Sequence, residues 1–218
     1  CSKLFLNKFR GLFFNFLTRI TRIVGALKPQ SIKLQNLETI SLCTLGEGAA
    51  LGPEAVVDNN RFLPELISIG NNSYCRGRLL LYGHGGQIRI GQYSYVGIRT
   101  EIWSMDSITI GDRVLIAHDV NIHDGTAHSL DPGERHEHFI NILKTGHPKS
   151  WAEVPGLKSS PIVIEDDVWI SFGATILKGV KIGARSIISA GAFVIEDVPP
   201  DTIYQNKISP TMRHLRKD

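Results

Sequence analysis

Cysteine is scarce in this 218-residue sequence, long apolar runs are missing, and no acid occurs before Glu38. The three cysteines, Cys1, Cys43 and Cys75, make neither a CxxC pair nor an even set, which excludes a disulfide-stapled scaffold and points to a reducing compartment. No apolar stretch reaches the ~20 residues that a membrane-crossing helix needs. Lys8, Arg10, Arg19 and Arg22 interrupt the apolar residues of the opening segment, so it does not read as a secretory signal. A cytoplasmic chain is expected.

The shortage of early acids exposes a charge asymmetry. Lys3, Lys8, Arg10, Arg19, Arg22, Lys28 and Lys33 all precede the first acid, leaving 17 basic against 21 acidic residues from Glu38 onward. Nucleic acid is therefore not an expected partner, because the body of the chain carries no basic surplus. Wound as a helix, Phe5, Phe9, Leu12, Phe13, Phe16, Ile20, Ile23 and Val24 form one stripe with most cations off it. Two roles fit residues 1–37: an amphipathic helix at the inner membrane surface, or a helix packed on the body or on a neighbouring subunit.

What the chain has in abundance is rhythm. Ile164, Ile170, Ile176, Ile182, Ile188 and Val194 stand six residues apart, each followed four places later by Val168, Ala174, Val180, Ser186, Ala192 and Val198. Helices repeat every 3.6 residues and strands every 2, whereas a period of six is a signature of parallel β-helices. Each hexad supplies a short strand and a corner, and three hexads close one triangular coil. The beat also runs through Ile90, Val96, Ile102 and Ile108, then shifts by two to Ile110, Ile116 and Ile122. An antiparallel sandwich would not hold six matches in one frame. The expected organisation is a basic segment at 1–37, a coil at 38–205 and a tail at 206–218.

Residues 123–161 abandon the beat and hold five of the eight histidines: His123, His128, His136, His138 and His147. Long loops on rigid scaffolds carry binding and catalysis, so this inserted loop is the leading site.

The hexads, Thr126-Ala127-His128-Ser129-Leu130-Asp131, Pro161-Ile162-Val163-Ile164-Glu165-Asp166-Asp167-Val168-Trp169-Ile170, and Glu196-Asp197-Val198-Pro199-Pro200 together resemble the hexapeptide-repeat acyltransferases. Their maltose, galactoside and polysaccharide O-acetyltransferase branch is the nearest in pattern, over about residues 85–205. The resemblance implies an all-β fold, a left-handed parallel β-helix that departs from the usual right-handed crossover. It further implies a homotrimer with sites between subunits, acetyl-CoA as donor and a sugar or glycan hydroxyl as acceptor, as in surface polysaccharide synthesis, with no metal.

By the same resemblance His128 is the general base, which suits a hydroxyl that must lose its proton while attacking a thioester. Its second ring nitrogen needs a carboxylate or a carbonyl to hold it, for which Asp131 is taken, with Glu134 also near in sequence and Asp124 a further candidate. Asp124, Glu134 and Trp151 are assigned to the acceptor. The donor is assigned to Ser171, Gly173 and Ala174 along a coil edge, Ala190 on the next coil, and Lys178, Lys207 and Arg213 near the phosphates. Gly97 stands where related enzymes commonly place Asn, so the oxyanion is given to a backbone N–H near Gly97 or to water. Trp169 matches a family tryptophan and reads as a corner residue as readily as a ligand contact.

Two alternatives share this scaffold. One acetylates the amino group of a nucleotide-linked amino sugar. The other sets His84, His118 and His123 around zinc, as in the γ-class carbonic anhydrases.

Overall fold

The computed structural model of the chain describes residues 42–207 and 209–212. The amphipathic stretch at 1–37, Cys1 and Arg213 lie outside the described residues. From Thr44 to Tyr204 the chain winds as a left-handed parallel β-helix, its short strands stacking into three sheets of six, seven and six strands. Each hexad buries two residues, the strand aliphatic and the residue four places on, as with Ile164 and Val168 or Ile170 and Ala174. Ile164, Ile170 and Ile176 lie in successive sheets, and Ile182 returns to the register of Ile164 one coil later.

The inward columns form the core: Ile69, Ile90, Ile110, Ile164 and Ile182 on one side, and Cys75, Val96, Ile116, Ile170 and Ile188 on the next. All are buried. Burying one such aliphatic side chain stabilises the fold by ~1.5–3 kcal/mol. Cys43 and Cys75 belong to this core, where burial pushes their thiols up to about 11 and about 12 and suppresses thiolate chemistry.

The two-residue shift of the beat has a structural cause. The third sheet begins with four-residue strands at Val56–Asn59, Arg78–Leu81 and Glu101–Ser104, so the early coils are longer than the later ones. Corners are turned by residues in the left-handed region. Arg113, Asp167, Arg185 and Asp201 sit above one another with φ of 56–61°, each receiving support from a backbone N–H bond to the neighbouring coil. Arg113 pairs with Asp167 and Arg185 with Asp201, both at 2.6 Å.

The three outer faces differ. Thr44, Ser68, Arg89, Thr109, Val163 and Lys181 make the first largely polar. The second presents Ala50, Tyr74, Tyr95, Leu115, Trp169, Ile187 and Ile203 in one register. The third carries Asp58, Leu80, Trp103, His123 and Leu177.

The insert leaves the third face after His123 and is not all loop. It contains helix α1, Pro132–Thr145, and a single 3-10 turn at Trp151–Glu153. Asp131 caps α1, Pro132 opens its first turn, and Gly146 at φ 87° ends it. No α1 residue is buried, which explains why no apolar stripe announces the helix. Its two ends meet in a neck: Thr126 N–H donates to Lys158 O at 2.8 Å, and Ser160 N–H to Asp124 O at 2.9 Å.

Candidate active site

The insert folds back against the third face and closes a 260 Å³ cavity. Tyr82, His84 and Trp103 line it from the coil; His128, His138 and His147 line it from the insert. Register brings part of this together, since Trp103 and His123 are partners on adjacent strands and stack at 4.8 Å with planes 17° apart. Trp103 is fixed further by its Nε1–H, which donates to Glu101 at 2.7 Å, and by the Arg78 guanidinium 5.7 Å from its ring.

His128 lies at the exposed rim of this cavity, with His138 of α1 edge-on at 5.8 Å between ring centroids. His84 is 8% exposed and sits between Tyr82 at 5.4 Å and Trp151 at 4.8 Å. Among the described residues, Nε2 of His84, His123 and His138 is buried without a hydrogen-bond partner. Such an atom costs ~1–3 kcal/mol when left unpaired. Burial pushes the pKa of all three rings below the usual histidine value, and His138 lowers that of His84 further. These imidazoles are neutral at pH 7.

Several sequence assignments move. Asp124, expected at the acceptor, is fully buried: it accepts Ser104 Oγ–H at 2.6 Å, Met105 N–H at 2.8 Å and Asp106 N–H at 3.0 Å. Burial raises its pKa while these bonds oppose the rise. It ties the neck to the coil and touches no open space. Asp131, expected to hold His128, instead accepts the Glu134 N–H as the cap of α1. Glu134 accepts the Ser129 hydroxyl at 2.6 Å and lines an adjoining 160 Å³ cavity that shares His138 and Leu157 with the first. Trp151 lines a third, open cavity on the far side of His84.

On the donor side, Ala174 is a core residue with no exposed surface, and Ser171 is buried. Gly173 and Gly191, at φ 68° and 66°, turn exposed corners directly above one another, with Ala190 exposed beside them. Lys178 and Lys207 are exposed. A Cβ on Gly97 would lie 2.5 Å from the Ala117 carbonyl, so no side chain fits there. The Gly97 N–H already donates to Ile116 O at 2.9 Å, which removes it as the oxyanion donor.

The zinc alternative loses its geometry. His118 stacks on Phe172 at 5.4 Å, away from His84 and His123, and among the described residues no three His, Cys, Asp or Glu side chains converge to hold a metal ion.

His84, His138, Tyr82 and Trp103 were not assigned to the acceptor from sequence. Neither the stacked Trp103–His123 pair, which depends on a 20-residue coil, nor the approach of α1 was within reach of the six-residue period.

Comparison with known proteins follows the fold. Residues 161–196 match the family described as bacterial transferase hexapeptide (six repeats). Galactoside O-acetyltransferase of Escherichia coli K12 is 30% identical over 152 residues, covering 69% of this chain and 66% of that protein. A 2,3,4,5-tetrahydropyridine-2,6-dicarboxylate N-acetyltransferase of Staphylococcus aureus is 51% identical over 45 residues, 21% of this chain and 19% of that one. The chain thus spans less than two thirds of the length of these curated relatives. Among solved structures, the N-acyltransferase AntD of Bacillus cereus, in complex with dTDP and 3-hydroxybutyryl-CoA, superposes with a TM-score of 0.57 at 21% identity, over 78% of this chain and 82% of that one.

Proposed function

Since this chain belongs to the hexapeptide-repeat acyltransferase family, we propose that it transfers an acetyl group from acetyl-CoA to a sugar hydroxyl, with His128 as general base. The observation that carries this reading is the place of His128, at the rim of a cavity lined by aromatic rings and neutral imidazoles. There the ring withdraws the hydroxyl proton while the oxygen attacks the acetyl carbonyl, and the sulfur leaves as the free thiol. Asp131 acts at one remove: by capping α1 it supports the helix that begins four residues beyond the base.

The donor lies along the exposed corner of Gly173, Ala190 and Gly191, with Lys178 and Lys207 as phosphate partners. The active form is a homotrimer. The support for it is the second outer face, where Leu115, Trp169 and Ile203 are 52%, 49% and 64% exposed in the single chain, an apolar ladder larger than solvent alone favours. The acceptor is a glycan intermediate of surface polysaccharide synthesis, approached at the membrane through the basic segment of residues 1–37.

Released thiol, measured with acetyl-CoA and a panel of free sugars, nucleotide sugars and lipid-linked oligosaccharides, tests the reading. His128→Ala is expected to lower the rate by ~10²–10⁴-fold. An undiminished rate would remove His128 from the chemistry, and no thiol release with any acceptor would remove the activity.

A further inference from the structure

We propose that Gly83 is a positioning residue for the reaction at His128: its missing side chain makes the seat on which the far end of the insert rests, and that seat holds one wall of the cavity in place. This rests on the acyl-transfer reading and adds to it the coil residue that sets where the insert lies.

Tyr82-Gly83-His84-Gly85-Gly86 puts three glycines into five residues between the strands Arg78–Leu81 and Ile88–Ile90. Two of them answer to the coil itself. A Cβ on Gly85 would strike the Met105 carbonyl oxygen, and one on Gly86, at φ 116°, would strike that of Ser104. Gly83 differs. Its φ lies outside the left-handed region, so its backbone imposes no need for glycine. The three heavy atoms nearest to an added Cβ all belong to the insert: the Pro148 carbonyl oxygen at 2.7 Å, the Pro148 carbonyl carbon at 3.7 Å and the Lys149 Cα at 3.9 Å. What forbids a side chain at residue 83 is the approach of the insert.

The seat is held by shape. Tyr82 N–H donates to Ser104 O at 3.2 Å and Gly85 N–H to Tyr82 O at 3.3 Å, so the loop around Gly83 is anchored on the coil side. Among the described residues no hydrogen bond joins residues 146–157 to the coil. Contact there is packing, with buried Pro148 over Gly83 and the Trp151 ring edge-on to His84 at 4.8 Å. Gly83, His84, His147 and Pro148 line the same cavity as His128. A methyl group at residue 83 meets a backbone carbonyl, which cannot swing aside as a flexible side chain can, so the insert segment withdraws. The cavity then widens, and a misplacement of ~1 Å between base and acceptor can cost ~10²-fold in rate.

The experiment uses the full chain carrying 5-fluorotryptophan, whose three resonances report Trp103, Trp151 and Trp169. In Gly83→Ala the Trp151 signal is expected to shift while that of Trp169, on the second face, stays, and residues 146–157 are expected to exchange amide hydrogens faster. With acetyl-CoA and methyl β-galactopyranoside, or whichever acceptor of the panel is turned over fastest, kcat/KM for the acceptor is expected to fall ~10–10²-fold at an unchanged acetyl-CoA KM. Pro148→Gly, which alters the other side of the contact and leaves the coil alone, is expected to give the same split. The double variant is expected to lose less than the product of the two single losses, because both disturb one contact. An unmoved Trp151 resonance, a shifted one with full kcat/KM, or losses that multiply in the double variant would overturn the positioning role. No thiol release from the unsubstituted chain would sink the acyl-transfer reading alone, since the Trp151 shift and the exchange rates would still decide whether Gly83 seats the insert.

Discussion

Asp131 accepts the backbone N–H of Glu134 at 2.9 Å, and Glu134 in turn accepts the hydroxyl of Ser129 at 2.6 Å. The first two acids after His128 in sequence are therefore spent on building the start of α1. Asp131→Ala should cost ~0.5–2 kcal/mol of stability, while Asp131→Ser, which keeps a capping oxygen, should recover most of it. Because the carboxylate acts through the helix, kcat/KM should track stability across Asp131→Ala, Asp131→Asn and Asp131→Ser. A large kcat loss in the stably capped Asn variant would instead mark Asp131 as a direct partner of the base.

Asp124 predicts the opposite pattern. Its carboxylate satisfies two backbone N–H groups and one hydroxyl in a fully buried position. Asp124→Ala leaves those donors without an acceptor, at ~1–3 kcal/mol each before relaxation. The expected result in denaturant unfolding is a midpoint shift far larger than that of Asp131→Ala, with the insert neck opening first to hydrogen exchange.

The buried imidazoles set a pH dependence whose sign follows from their direction of shift. Burial holds His84, His123 and His138 below the ordinary value of 6.5, so the unfolded chain takes up protons before the folded one does. Their contribution to stability is complete above that value and is lost as pH falls through it toward their lower folded values. Melting temperature should be flat near pH 8 and drop between pH 7 and 5. The double variant His84→Phe/His123→Phe should flatten that slope, a comparison that differential scanning fluorimetry can make directly.

The core was legible because the hexad repeats the same buried positions, from Ile164 and Val168 to Val194 and Val198, whereas the hand of the coil came only from the family resemblance. The period did not place Trp103 beside His123, which are twenty residues apart where three hexads make eighteen, because the early coils are longer. Asp124 was misread because its burial comes from Ser104 and Met105, on the coil before it, and no local pattern around residue 124 reveals that contact. Helix α1 was missed for a related reason: Asp131, Pro132 and Glu134 spell an N-terminus, but the residues after them bury nothing and give no stripe. His84 and His138 converge only because the insert folds back, an outcome set by the neck at Thr126 and Lys158.

The apolar ladder gives the last test, and it separates assembly from folding. Leu115 stands near the middle of the second face, between Tyr95 and Trp169 in register, and is half exposed in the single chain. A lysine there projects outward from a strand whose inward neighbour, Ile116, still fills the core, so the coil itself is unaffected. In a trimer the same lysine would be buried against a neighbour without a counter-charge, at a cost large enough to break the contact. Leu115→Lys is therefore expected to convert trimer to monomer in light scattering while circular dichroism stays unchanged. Thr109→Lys, on the polar face, should leave the trimer intact. If the sites lie between subunits, as the family resemblance implies, acetyl transfer should fall with the trimer in the first variant and persist in the second. A monomeric Leu115→Lys enzyme with full activity would show that the cavity beside His128 is complete within one chain.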